Sequence, residues 1–205
     1  MSARQFMLAV GLLAGLAAPA LAHDPSHHAD AAEESAPIPG LPGFGGPFSL
    51  IDQTGQRRTD ADFRGKLMLV TFGYTDCPDI CPLDLQKVAA ALELAGPAVA
   101  GHVAPLFISV DPAHDTPQKL ADFVTPFSPA IIGLTGTGAE IAPVAAAYRI
   151  HALQTHDGAI EHSDFQYLMG PDGKFLTLIR PDATAETIAG LLVKYTRANI
   201  VAAAH

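Results

Sequence analysis

The chain has 205 residues, 49% of them hydrophobic, which is enough for one domain with a full core. Its formal charge of −9 argues against a nucleic-acid-binding surface, which would need a basic patch.

Residues 1–22 read as a secretory signal peptide. Arg4 supplies a short positive region, residues 6–18 are apolar but too few to span a bilayer comfortably, and Ala20-Leu21-Ala22 matches a small-x-small cleavage site. Cleavage there puts a mature chain starting at His23 in an exported, periplasmic setting; an uncleaved segment would anchor it in a membrane, facing the periplasm. Residues 23–46 carry His23, His27, His28, four acidic groups and many Ala, Pro and Gly, with no apolar period. They read as a flexible lead-in. The three histidines could collect copper, helped by a chelate between the free amine of His23 and its own imidazole, or simply belong to a solvated linker. The folded domain spans residues 47–205.

Within that domain, residues 48–51 and 56–59 make a hairpin turning at Gly55. The apolar run 67–72 reads as a buried strand, and Cys77 and Cys81, the only cysteines, follow it. Leu85, Val88, Ala89 and Leu92 then keep the i, i+3, i+4, i+7 rhythm of an amphipathic helix over about 82–95. Pro82 suits its first position. The free N–H groups and positive dipole end of that helix favour thiolate over thiol at both sulfurs. Residues 105–110 form a second strand, parallel to the first through a βαβ crossover. The polar stretch 111–117 then lies at the carboxyl edge of the sheet, where α/β proteins place their ligands, and faces the cysteine turn.

Thr116 caps a helix that starts at Pro117 and runs to about residue 127. Residues 131–134 form a short strand, and 139–149 a helix in which Pro143 is tolerable only in the first turn. A polar segment, 149–164, carries His151, His156 and His162. An antiparallel hairpin over 165–179 turns at Pro171-Asp172-Gly173, and a last helix over about 184–200 buries Ile188, Leu191, Leu192 and Tyr195. This order predicts an α/β, thioredoxin-like fold with an N-terminal hairpin and an inserted loop or hairpin at 149–164.

Pro78, Asp79 and Ile80 separate the cysteines, so the sulfurs stand about one helical turn apart and can hold one metal or close a disulfide. A purely structural bridge over so short a loop would stabilise little, because loop-closure entropy grows with loop length. Asp76, Asp79 and Asp84 oppose a second thiolate unless a cation compensates, and this leans toward a metal. Two thiolates with an imidazole form a soft set that suits copper(I) and also zinc. His162 opens the hairpin after a flexible loop, with Ser163 and Asp164 placed to orient it, and is the leading candidate for third ligand. His151 and His156 share its loop. His114 sits beside Asp111 at the ligand edge, whereas His102 and His205 read as solvent-exposed.

Three stretches in this order carry a resemblance to a known family. Phe72-Gly73-Tyr74-Thr75-Asp76-Cys77-Pro78-Asp79-Ile80-Cys81-Pro82, Ser109-Val110-Asp111-Pro112-Ala113-His114-Asp115-Thr116, and Glu161-His162-Ser163 followed by Tyr167, Leu168 and residues 170–173 resemble the SCO/SenC family. The resemblance covers residue 48 to the end. It implies a thioredoxin fold that binds copper, as Cu(I), Cu(II) or both, through Cys77, Cys81 and His162, with Asp111 near the metal. It further implies a role in assembling the CuA centre of cytochrome c oxidase, with the CuA-bearing subunit as partner and another periplasmic copper chaperone as donor. Two positions depart from the family pattern: Glu161 stands where Asp is common, and His114 replaces a usual arginine and its fixed charge. Many relatives also keep the N-terminal segment as a membrane anchor.

Two functions from different classes follow. One is a copper metallochaperone without turnover. The other is a thiol–disulfide oxidoreductase that reduces the cysteines of a CuA site, with Cys77 and Cys81 as its redox pair. A carrier needs His162 and a dithiol reductase does not. A peroxiredoxin-like peroxidase fits poorly, because Tyr74 and Val70 stand where that class wants Thr and Pro.

Overall fold

The computed structural model describes residues 43–150, 153–154, 160–161 and 165–203. Strands β1 (Ser49–Asp52) and β2 (Arg57–Thr59) form the antiparallel hairpin, turning through Gly55 at φ +84°. That left-handed conformation costs glycine nothing. Asp52 closes the turn by accepting from the Thr54 and Gln56 backbone N–H groups at 2.8 and 3.0 Å.

Next come β3 (Leu67–Gly73), α1 (Ile80–Ala95), the short α2 (Pro97–Ala100), β4 (Val103–Ser109), α3 (Pro117–Val124) and β5 (Ile132–Thr135). After α4 (Gly138–Ala147), the strands β6 (Leu153–Gln154) and β7 (Ile160–Glu161) pair with each other, apart from the main sheet. β8 (Gln166–Met169), β9 (Phe175–Ile179) and α5 (Ala185–Ala203) complete the chain. The seven-stranded sheet runs in the order β2-β1-β5-β4-β3-β8-β9, with β3, β4 and β5 mutually parallel and the outer strands antiparallel. This is an α/β, thioredoxin-like fold with the hairpin added at one edge.

Every residue of β3 and β4 is buried, as a parallel sheet covered on both faces requires. Alternation along the strands divides the core in two. Leu67, Leu69, Val103 and Phe107 meet Leu85, Val88 and Leu92 of α1, Leu120 of α3 and Ile188 and Leu192 of α5. Met68, Val70, Phe72, Leu106 and Ile108 face the other way, onto Leu50, Leu134, Ile141, Val144, Tyr148 and Tyr167. No helix of the described residues is long and apolar enough to cross a membrane.

Three boundaries differ from the sequence reading. α1 begins at Ile80, so Pro82 occupies its third position rather than its first. The first four helical N–H groups have no intrahelical acceptor, so a proline anywhere in that turn loses nothing. α3 stops at Val124, three residues short of the predicted end. Pro143 is the sixth residue of α4, past the first turn in which the sequence reading tolerates it. It cannot donate to the carbonyl of Ala139, but both residues are exposed and water can serve that oxygen.

Replacing this interior proline should therefore stabilise the domain. Pro143→Ala is expected to raise the urea unfolding free energy by up to about 3 kcal/mol. A lower urea midpoint would show that the ring stabilises α4 in some other way.

Candidate metal centre

The carboxyl ends of β3 and β4 are level, with Gly73 opposite Ser109 and the Val110 N–H donating to the Gly73 carbonyl at 2.8 Å. The loops leaving the two strands therefore meet at one edge, as the sequence predicted. Thr75 in the first loop donates to Asp115 in the second through its backbone N–H, at 3.1 Å, and its hydroxyl, at 2.5 Å. Lys119 at the start of α3 reaches back to Asp76 at 3.2 Å.

Cys77 and Cys81 lie on this edge, and no disulfide joins them. Cys77 is half-buried in the turn and donates its N–H to the Tyr74 carbonyl at 3.3 Å. Cys81 is the second residue of α1, and its N–H donates to the Cys77 sulfur at 3.5 Å. An unsatisfied N–H of the first helical turn is thus spent on sulfur. The Cys81 sulfur packs against β3 where only glycine leaves room: a Cβ on Gly73 would stand 2.7 Å from it and 2.7 Å from Cε2 of Phe107. Cys81 is 1% exposed.

That burial overturns one expectation. The sequence places both sulfurs in thiolate-favouring surroundings, but the Cys81 thiol is pushed up, not down. Desolvation is the largest cause, the neighbouring Cys77 adds to it, and a backbone hydrogen bond from Tyr74 offsets only part. Asp84, buried three residues on, raises it slightly further. The acidic flank is also less uniform than the sequence suggests. Lys119 pairs with Asp76, and Lys87 pairs with Asp84 at 3.3 Å while donating to the Pro181 carbonyl at 2.8 Å.

Asp111 follows β4 on the same edge, and its carboxylate bonds Nδ1 of His114 at 2.8 Å. The imidazole itself is exposed. His102 is exposed as predicted and lies at the other end of the sheet, beside Leu67. Sequence reasoning passed over Gly73, Thr75, Ser109 and Asp115. The cue was present in an acid placed directly before the Thr116-Pro117 helix start, on a stretch already assigned to the ligand edge. His23, His27, His28, His151, His156, His162, Ser163, Asp164 and His205 lie outside the described residues. Among the described residues no three His, Cys, Asp or Glu side chains are grouped to hold a metal. The two soft sulfur donors fit a thiophilic metal, with any further ligand to come from elsewhere.

The family model described as SCO1/SenC matches residues 38–197. "Protein sco1" of Schizosaccharomyces pombe is 42% identical over 163 residues, covering 76% of this chain. The chain spans 62% of that relative, less than two thirds of its length. Among solved structures, Arabidopsis thaliana ScoI with copper bound superposes with a TM-score of 0.72 at 41% identity, covering 76% of this chain and 99% of that one. BsSco, described as a Sco-family cytochrome c oxidase assembly protein with a disulfide switch, gives a TM-score of 0.61 at 26% identity over 80% of this chain and 98% of its own.

The difference between the two thiols is measurable. In a Cys77→Ser variant, alkylation of the remaining Cys81 should stay slow at neutral pH and still be accelerating above the ordinary thiol range near ~8.5. A rate that levels off below pH 8 would mean that the helix terminus, not burial, governs this sulfur.

Proposed function

Because the chain belongs to the SCO1/SenC family, we propose that it is a copper metallochaperone that binds copper through Cys77, Cys81 and His162 and delivers it to, or prepares, the CuA centre of cytochrome c oxidase. The observation that carries this reading is the unbridged pair of thiols brought together at the carboxyl edge of the sheet. The copper-bound Arabidopsis relative supports copper as the cargo, and BsSco supports cytochrome c oxidase assembly as the setting. Residues 1–22 would export or anchor the chain, 23–46 would serve as its lead-in, and the domain would work in the periplasm.

The chemistry follows from the sulfurs. Loading displaces protons, since both cysteines must bind as thiolates. Burial opposes that charge at Cys81 until a cation arrives, so the copper-free site keeps its proton and copper supplies the compensation. Release to a receiving site reverses the exchange, and Cys81 retakes a proton as copper leaves. Asp111 would add negative charge beside the metal.

One observation also favours the oxidoreductase reading. Cys77 is half-buried while Cys81 is sealed beneath it, the asymmetry of an attacking and a resolving thiol. The two roles share the same sulfurs, so copper and the disulfide compete for them. Binding only the reduced pair stabilises it by about 2.7 kcal/mol at a hundredfold excess over Kd. At roughly 30 mV per 1.4 kcal/mol, Cu(I) should raise the apparent midpoint by roughly 60 mV.

Anaerobic titration of the reduced domain should give one tightly held copper, and the Cu(II) form should show strong sulfur-to-metal charge-transfer absorption. Both should vanish in the Cys77→Ser, Cys81→Ser double variant, whereas His162→Ala should weaken binding and leave the thiols to form a disulfide more readily. Unchanged stoichiometry and spectrum in the double variant would sink the carrier reading. A thiol midpoint indifferent to Cu(I) would hand the function to the oxidoreductase.

A further inference from the structure

We infer that Asp115 is the positioning residue of the sulfur pair, acting through the Tyr74–Thr75 peptide; the inference rests on the copper-site reading above. Asp115 is 2% exposed, yet among the described residues no Lys, Arg or His forms an ion pair with it. Among the described residues its carboxylate is met by hydroxyl and peptide donors. Oδ1 accepts from the Thr75 hydroxyl and Oδ2 from the Ser109 hydroxyl, each at 2.5 Å, and the Thr75 N–H spans both oxygens at 3.3 and 3.1 Å. Hydrogen bonds this short, to a carboxylate, are charge-assisted and strong.

What the carboxylate holds matters more than that it is held. The Thr75 N–H and the Tyr74 carbonyl belong to one planar peptide unit. Asp115 grips its N–H side, and its carbonyl side accepts from the Cys77 N–H at 3.3 Å. The next backbone group upstream, on Tyr74 itself, hydrogen-bonds the Cys81 sulfur. The plane pinned by Asp115 therefore sets the approach of Cys77 directly, and that of Cys81 through the adjoining peptide and through the Cys81 N–H that donates to the Cys77 sulfur at 3.5 Å.

The other end of the clamp is rigid. Ser109 is the last residue of β4, fully buried and in register with Gly73, and its oxygen also accepts from the Asp111 N–H at 3.0 Å. The Asp115 N–H donates to the Asp111 carbonyl at 2.9 Å, locking the loop that carries the carboxylate. Asp115 thus ties the cysteine turn to the sheet, and the same bonds tie in Asp111. A buried carboxylate with no cation paired to it among the described residues, bonded to the turn that carries both cysteines, serves to hold that turn in place.

The test uses the copper-free domain first. In glutathione redox buffers, two thiols plus oxidised glutathione give the Cys77–Cys81 disulfide plus two reduced glutathiones. The equilibrium constant reads how well the turn holds the sulfurs together. Asp115→Asn should lower it by roughly tenfold, because the amide presents a donor where the turn offers only donors and the sulfurs lose their pre-set approach. Thr75→Val should lower it less, Thr75→Ser should match the wild type by keeping both donors, and Asp122→Asn on the exposed face of α3 should change nothing. Loaded with Cu(II), Asp115→Asn should show a shifted, weakened charge-transfer band. A folded Asp115→Asn protein with the wild-type disulfide equilibrium and band would overturn the inference. Should that variant not fold, an unchanged equilibrium in Thr75→Val would overturn it equally. If the wild-type domain takes up no copper while the disulfide equilibrium still responds to Asp115, the carrier reading fails and the positioning role stands.

Discussion

The parallel pairing of β3 with β4 over seven consecutive residues is the constraint on which the rest depends. It runs from Leu67 opposite Val103 to Gly73 opposite Ser109, so both strands stop at the same level. A slip of one residue would turn Leu67 and Leu69 out of one core and Met68, Val70 and Phe72 out of the other. With both faces buried, each side chain removed from its core forfeits about 1.5–3 kcal/mol. A one-residue slip is thereby excluded, and in the observed register the cysteine loop and the 110–116 loop meet at one edge. The aromatic contacts among Phe72, Tyr148 and Tyr167, with ring centroids 5.1–6.0 Å apart, support the same strand end from the opposite face.

At the sulfurs two physical effects oppose each other, and their magnitudes decide the outcome. A helix N-terminus favours a nearby negative charge by about 0.3–1 kcal/mol, rising toward ~2 kcal/mol when partly buried. Full burial can move an ionisable group by ~3–5 pK units, at 1.36 kcal/mol each. Cys81, sealed beneath the turn and beside buried Asp84, follows the larger effect. Cys77 shares the helix terminus through the Cys81 N–H while remaining half-buried. The two thiols are thus unlike although the sequence presents them alike.

Much of the fold was legible from pattern. The two apolar runs, the Gly55 and Pro171-Asp172-Gly173 turns, the Thr116 cap with Pro117 behind it and the apolar stripe of α5 are local signals, and the structure bears them out. Thr116 accepts from the Lys119 N–H at 3.2 Å, as the Ser/Thr-Pro helix start implies. Helix boundaries were less legible. Proline forbids one hydrogen bond but does not say which turn of a helix it occupies, so Pro82 and Pro143 were each placed one turn or less from their true positions. Whether the freed carbonyl can find water depends on which face is exposed, and that is settled only by packing.

By itself the sequence determined the α/β class, the strand and helix order, the cysteine pair at a strand-to-helix turn and the family motifs. These depend on neighbours along the chain, through periodicity, turn chemistry and capping. Only the tertiary structure decided the burial of Cys81, the need for glycine at position 73 and the grip of Asp115 on Thr75. Each of these joins groups 8 to 40 positions apart in sequence, read from the residue numbers themselves. Desolvation and hydrogen bonding depend on what surrounds an atom in space, and no local pattern encodes that environment.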